Sequence, residues 1–197
     1  MRSTEKILEL AKKNNGTITS SQITQAGISR EYLRRLLKND LLERVERGVY
    51  ILPDRFEDEM FNLQARYKKG IFSHETALFL LDLSDRTPIK FSMTFPLNYN
   101  TTSLRSENMT CYRVKTEFHQ IGIITIQSPN GNPIKTYNPE RTLCDILKGR
   151  SHTDIQVVTD AFKRYARWKK KDIPLLSEYS KLFRVEKKVR SYLEVLL

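Results

Sequence analysis

Cysteine is scarce in this 197-residue chain: Cys111 and Cys144 are the only two, and no Cys-x-x-Cys pair occurs. That excludes a disulfide-dense scaffold and the zinc ribbons built from paired thiolates. One bridge between the two is compatible with the sequence, but two reduced, buried thiols are the better reading for a cytoplasmic protein. Glycine is sparse as well, with seven residues, most of them at turns. No P-loop, GxGxxG fingerprint, HExxH or GxSxG motif is present, which removes the common nucleotide-binding, zinc-hydrolase and serine-hydrolase classes. The three histidines, His74, His119 and His152, have no partner at metal-ligand spacing and read as capping, surface or core residues. No apolar run approaches membrane-spanning length, and the opening MRSTEKILEL lacks the apolar stretch of a secretory leader, so a cytoplasmic chain without a membrane partner is expected. No catalytic residue, metal or cofactor is assigned.

Acidic residues are also in deficit. Lys and Arg number 34 against 23 Asp and Glu, a formal net charge of +11. Such an excess calls for a polyanionic partner, usually nucleic acid and less often an anionic membrane surface. It is unevenly spread: residues 1–56 are net +4, residues 57–150 net +2 and residues 151–197 net +5. Two separate positive surfaces follow, one at each end.

What is present begins with a compact pattern of short elements. Ile7, Leu8, Leu10 and Ala11 have helical spacing, and Asn14-Asn15-Gly16 ends the helix. Thr17-Ile18-Thr19 makes one short strand, after which Thr19 and Gln22 fit a capping box opening a second helix. Ala26-Gly27-Ile28 is a turn, and Ser29 caps a third helix running to about Asn39. Two helices joined by a short Gly-containing turn form a helix-turn-helix. Leu42–Val45 and Val49–Ile51, joined by Glu46-Arg47-Gly48, form a hairpin that serves as a wing.

In the third helix Leu33, Leu36 and Leu37 share one face and should pack inward. The opposite arc carries Glu31, Arg34, Arg35 and Lys38, flanked by Arg30 and Tyr32. Ser29, Arg30, Tyr32, Arg34 and Arg35 are therefore candidates to approach base edges. Lys38 and the wing residues Arg44 and Arg47 are candidates for phosphates, with Thr19 or Ser20 adding a hydroxyl or backbone contact. The alternative is an ordinary solvated helix face, but helix, turn, helix and wing occur here in the order that DNA docking requires.

Beyond Pro53-Asp54 the pattern changes. Residues 56–69 have helical character stopped by Gly70, and Ser73 opens another helix with Ala77, Leu78, Leu80 and Leu81 on its apolar face. Residues 89–95, 109–114, 121–127 and 133–137 read as strands. Asn138-Pro139-Glu140 opens a helix, with Asn as cap and Pro at the first position. Within it, Arg141 and Asp145 stand at i,i+4 and predict an ion pair rather than an acid–base couple. A long helix follows, with Ile155, Val158, Phe162 and Tyr165 as its apolar stripe. Lys163, Arg164, Arg167, Lys170 and Lys171 form a continuous basic arc opposite, either a second phosphate-binding surface or the wet side of an amphipathic helix. Two shorter helices, 174–183 and 185–196, complete the chain. The fold class expected is α/β in the α+β sense: a winged helix-turn-helix over residues 1–55, then a mixed domain over residues 56–197 with a small sheet and C-terminal helices.

These segments resemble the AbiEi family, antitoxins of the AbiE abortive-infection (type IV toxin–antitoxin) systems. The likeness lies in GISREYLRRLLKNDLLERVERGVYILP, in FSHETALFLLDLSDRTP, in TFPLNYN and YNPERTLCDILKGR, and in the terminal AFKRYARWKKKDIPLLSEYSKLFRVEKKVRSYLEVLL. It implies a bacterial DNA-binding repressor that acts on inverted repeats upstream of its own operon. It further implies a C-terminal domain that counteracts an AbiEii-like nucleotidyltransferase toxin without a stable complex. It places Arg34, Arg35, Lys38 and the wing residues at DNA and assigns no residue to antitoxicity. Two other readings remain open: a winged-helix transcription factor without antitoxin role, and a nucleic-acid-processing enzyme using scattered carboxylates.

Overall fold

The computed structural model describes residues 2–104, 109–149 and 151–196. The chain divides into two compact units. Met1–Lys68 with Thr125–Ile134 form the first, and Lys69–Ile124 with Lys135–Leu197 the second. The expected boundary after residue 55 and these units divide the chain differently.

The first unit is a winged helix-turn-helix. Helices α1 (Ser3–Lys13), α2 (Ser20–Gln25) and α3 (Glu31–Lys38) accompany strands β1 (Thr17–Thr19), β2 (Glu43–Glu46) and β3 (Val49–Ile51). The capping box is present: the Gln22 amide donates to Thr19 Oγ1 at 3.2 Å and the Thr19 amide donates to Gln22 Oε1 at 2.7 Å. Ser29 does not itself adjoin α3, which is entered through Arg30, yet its Oγ accepts the Glu31 amide at 3.3 Å and satisfies a donor of the first turn. The sheet is antiparallel in the order β1-β3-β2, with Thr17 opposite Ile51 and Arg44 opposite Tyr50. The register shifts between Arg44 and Glu46, so Val45 is an extra residue that bends the wing. Ile7, Ala11, Ile18, Ile23, Leu33, Leu36 and Leu42 close the core. Leu37 is only partly buried against it.

Helix α4 (Glu59–Arg66) belongs to this unit and is shorter than the 56–69 reading. Asp58 fixes its start, since Oδ1 accepts the Phe61 amide at 3.0 Å and Phe56 lies outside, fully open to solvent. The second Asp58 oxygen accepts from the Ser128 hydroxyl and from Asn132 Nδ2 (2.9 Å), which pins residues 125–134 to the head of α4. Gly70 does not end the helix, which stops at Arg66 with Tyr67 as its C-cap. A Cβ there would stand 2.6 Å from Met93 Cε and 2.8 Å from Phe95 Cζ, so close approach of side chains requires glycine.

The second unit carries strands β4 (Ile71–Phe72), β5 (Phe91–Pro96), β6 (Met109–Val114), β7 (Ile123–Gln127) and β8 (Pro133–Tyr137) in a mixed sheet ordered β6-β5-β4-β8-β7. Distal residues of β7 and β8 are those that count with the first unit. Its helices are α5 (His74–Leu80), α6 (Thr116–His119), α7 (Pro139–Ile146), α8 (Ile155–Arg167), α9 (Ile173–Leu182) and α10 (Glu186–Leu196). Asn138 caps α7 through the Arg141 amide at 2.9 Å, and every residue of α7 is buried. Leu78, Leu143, Phe162 and Leu176 join α5, α7, α8 and α9 in one core.

Two expectations for α8 need correction. Ile155 opens the helix 68% exposed and takes no part in the apolar stripe. The helix ends at Arg167, with Trp168 extended at its C-cap, so Lys170 and Lys171 lie in the following turn and the basic arc is not continuous.

Candidate nucleic-acid interface

An open groove of about 920 Å³ lies within the first unit. Its walls are the start of α2, one side of α3, the wing and, on the far rim, α4. Local chemistry fixes each wall. The Ser20 amide donates to the Gly48 carbonyl at 2.8 Å and its hydroxyl to the same oxygen at 3.3 Å, which ties the head of α2 to the wing tip. Arg30 Nε donates to Thr24 Oγ1 at 2.9 Å, holding the entrance of α3 against α2. Arg66, in the last turn of α4, pairs with Glu46 of β2 at 3.0 Å and lies over the Tyr67 ring at 4.9 Å.

The charge of the lining is one-sided. Arg30, Arg34, Arg44, Arg47 and Lys68 line the groove, and among the described residues no Asp or Glu does. Arg30, Arg34, Arg44 and Arg47 are exposed, and guanidinium forks suit bidentate contact with phosphate or guanine edges. Of the ten candidates from the sequence, Thr19, Ser20, Arg30, Arg34, Arg44 and Arg47 come together in this groove. Thr19 and Ser20 already use their hydroxyls within the fold, as cap and wing tie. Ser29, Tyr32, Arg35 and Lys38 are exposed but stand outside the lining. The helical wheel could not separate Arg34 from Arg35, because that choice depends on where the wing sits. Phe61, Gln64 and Lys68 also line the groove and were missed. Nothing in their sequence sets them apart from any other amphipathic helix.

The basic residues near the C-terminus are differently placed. Arg164 pairs with Asp85, whereas Lys163, Arg167 and Lys170 are exposed. Elsewhere in the second unit, titratable groups are buried in a structural network. Arg141 is fully buried and pairs with Asp145 at 2.9 Å, and Lys148 reaches the other carboxylate oxygen at 2.6 Å. Arg141 Nη1 also donates to the Phe118 carbonyl at 2.6 Å, and its guanidinium lies over the rings of Tyr137 and Phe183. Burial alone would raise the Asp145 carboxyl, but Arg141 and Lys148 hold it below its ordinary range. His74 stacks on Tyr112 with ring centroids 3.4 Å apart, and burial lowers its pKa to about 4, so the imidazole is neutral. Cys144 is pushed up to about 12 by burial and is an unreactive thiol. Both cysteines are free. Among the described residues no cluster of His, Cys, Asp and Glu is placed to hold a metal ion. No helix among them is long and apolar enough to cross a membrane.

Residues 5–53 match a family model described as a transcriptional regulator, AbiEi antitoxin. That similarity covers the winged-helix segment and leaves the rest of the chain outside the match. No curated protein matches the chain. The crystal structure of the RV2827C protein from Mycobacterium tuberculosis is similar in fold, with a TM-score of 0.54 at 13% identity over 91% of this chain and 71% of that one.

Proposed function

We propose that this AbiEi-type regulator binds duplex DNA in the groove of its winged helix and represses its own operon, while its second unit counteracts a nucleotidyltransferase toxin. The observation that carries the DNA reading is the lining: five cations and, among the described residues, no carboxylate, set between recognition helix and wing. A duplex presents two rows of phosphates flanking a groove that admits a helix. In this arrangement α3 enters the major groove, Arg30 and Arg34 reach toward base edges, and Arg44 and Arg47 take the adjoining backbone. An inverted-repeat operator would place two such units on one face of the DNA.

The antitoxin role rests on the family match and on the second unit having its own core around Leu143 and Phe162. A cut between residues 55 and 56 keeps that core whole but divides the first unit, because α4 and residues 125–134 then travel with the second fragment. The test pairs a reporter driven by the upstream promoter with growth under co-expression of a neighbouring nucleotidyltransferase-like gene. Full-length protein lowers reporter output and restores growth; residues 56–197 restore growth alone. A soluble, folded 56–197 fragment without protection ties antitoxicity to the intact chain or to DNA binding. A full-length protein that neither represses nor protects defeats the reading.

A further inference from the structure

Of the cations at and just beyond the end of α4, Arg66 and Lys68 belong to the first unit, and their surroundings differ. Arg66 is satisfied locally, paired with Glu46 on the wing strand and stacked over Tyr67. It complements the helix C-terminus and fixes α4 against β2. Lys68, two residues on, is exposed and lines the groove, with no hydrogen bond or ion pair among the described residues. Phe61 and Ala65, on preceding turns of the same helix, line the same rim. Asp58 holds the head of the helix through the Phe61 amide, Ser128 and Asn132, so both ends of α4 are anchored within the unit.

We infer that α4 is a fourth element of the nucleic-acid interface, with Lys68 contacting a phosphate of the duplex whose bases α3 faces. The inference rests on the DNA reading above and extends the interface past the segment that matches the family model, which stops at residue 53. Lys68 shares a concave wall with four arginines, and among the described residues no acid lines it, so the cations there repel one another. A phosphate backbone along the rim relieves that repulsion and releases a counterion. Arg66 then positions the helix and Lys68 makes the contact, a division that neither residue's sequence context reveals.

The test measures full-length protein binding by fluorescence anisotropy at several salt concentrations, on a duplex from upstream of its gene and on a random duplex of equal length. Lys68→Gln should reduce the slope of log affinity against log salt by about 0.9 on both duplexes, leaving the ratio between them unchanged. Lys68→Arg should restore the parent slope. The exposed position allows folding to be verified by thermal melting. An unchanged Lys68→Gln slope, with Arg34→Ala and Arg47→Ala both weakening binding, overturns the α4 contact and leaves the DNA reading intact. If Arg34→Ala and Arg47→Ala also bind as the parent does, the groove itself is not the interface.

Discussion

The Ser20 amide donates to the Gly48 carbonyl at 2.8 Å, and with the Ser20 hydroxyl on the same oxygen it joins the first residue of α2 to the tip of the wing. Gly48 has φ +83°, and a Cβ on it would stand 3.1 Å from Ser20 Oγ. Both the backbone conformation and the close hydroxyl disfavour any other residue. Gly48→Ala should lower stability by about 1–2 kcal/mol, the usual penalty for a left-handed L-residue. It should also weaken DNA binding, because Arg47 moves with the wing. Thermal melts and anisotropy titrations on the same sample check this, and unchanged values in both would show that the wing tip tolerates a side chain.

His74 predicts an acid limb in stability. Its pKa is lowered from 6.5 to about 4, first by burial, with Lys148 and Arg141 adding to the effect and Asp145 opposing it. Between those two values the unfolded chain binds a proton that the folded chain refuses. Stability is thus fully present above about pH 6.5 and falls as the pH drops toward 4, by roughly 3 kcal/mol from this group. His119, also lowered by burial, acts in the same direction. Asp145, held below its ordinary range, adds a further loss only at lower pH. His74 has φ +50°, which asparagine tolerates, so His74→Asn is the fitting variant. Urea titrations from pH 7.5 to 4.5 should show a shallower decline for His74→Asn than for the parent. Parallel curves would mean the imidazole does not set that limb.

Asp145 neutralises a buried guanidinium, so its loss is costly. Asp145→Ala leaves Arg141 charged inside the core and should destabilise by about 3–5 kcal/mol. Lys148, whose side chain is 27% exposed, is the lesser partner, and Lys148→Met should cost about 1 kcal/mol or less. Chemical denaturation of the two variants measures the ratio. Equal, small losses would show that Arg141 finds another partner.

The basic residues of α8 and the turn after it supply a second salt-dependent prediction. Neutralising Lys163, Arg167 and Lys170, which are exposed, should flatten the salt slope of DNA binding if the same duplex reaches them. Sequence preference should not change. A slope identical to the parent's would make this surface an ordinary wet helix face.

Much of the fold was legible because its signals are local. The Thr19/Gln22 box, the Asn138-Pro139 start, and strands Met109–Val114 and Pro133–Tyr137 depend on residues adjacent in sequence. The i,i+4 spacing likewise gave the Arg141–Asp145 pair, though not that it is fully buried between two rings. What sequence patterns missed depends on distant partners. Asp58 begins α4 later than its periodicity implies, and its second oxygen binds residues of a turn far along the chain. Ile155 fits the apolar stripe by spacing but is the first residue of α8, ahead of Val157 where its packed part begins. The groove assembles α2, α3, the wing and α4, so no window of sequence could separate Arg34 from Arg35 or bring in Lys68.

That separation gives the most direct measurement. Arg34 lines the groove and Arg35 does not, although both are exposed on α3. Affinity for the duplex upstream of the gene should fall by about 1–3 kcal/mol for Arg34→Ala if it contacts a base, with relaxed preference over random DNA. Arg35→Ala should lose less, and Arg34→Ala combined with Arg47→Ala should lose the most. Measured by anisotropy on proteins with parent-like melting, that order supports a DNA interface in the groove. A double variant that binds with parent affinity and parent preference would contradict it.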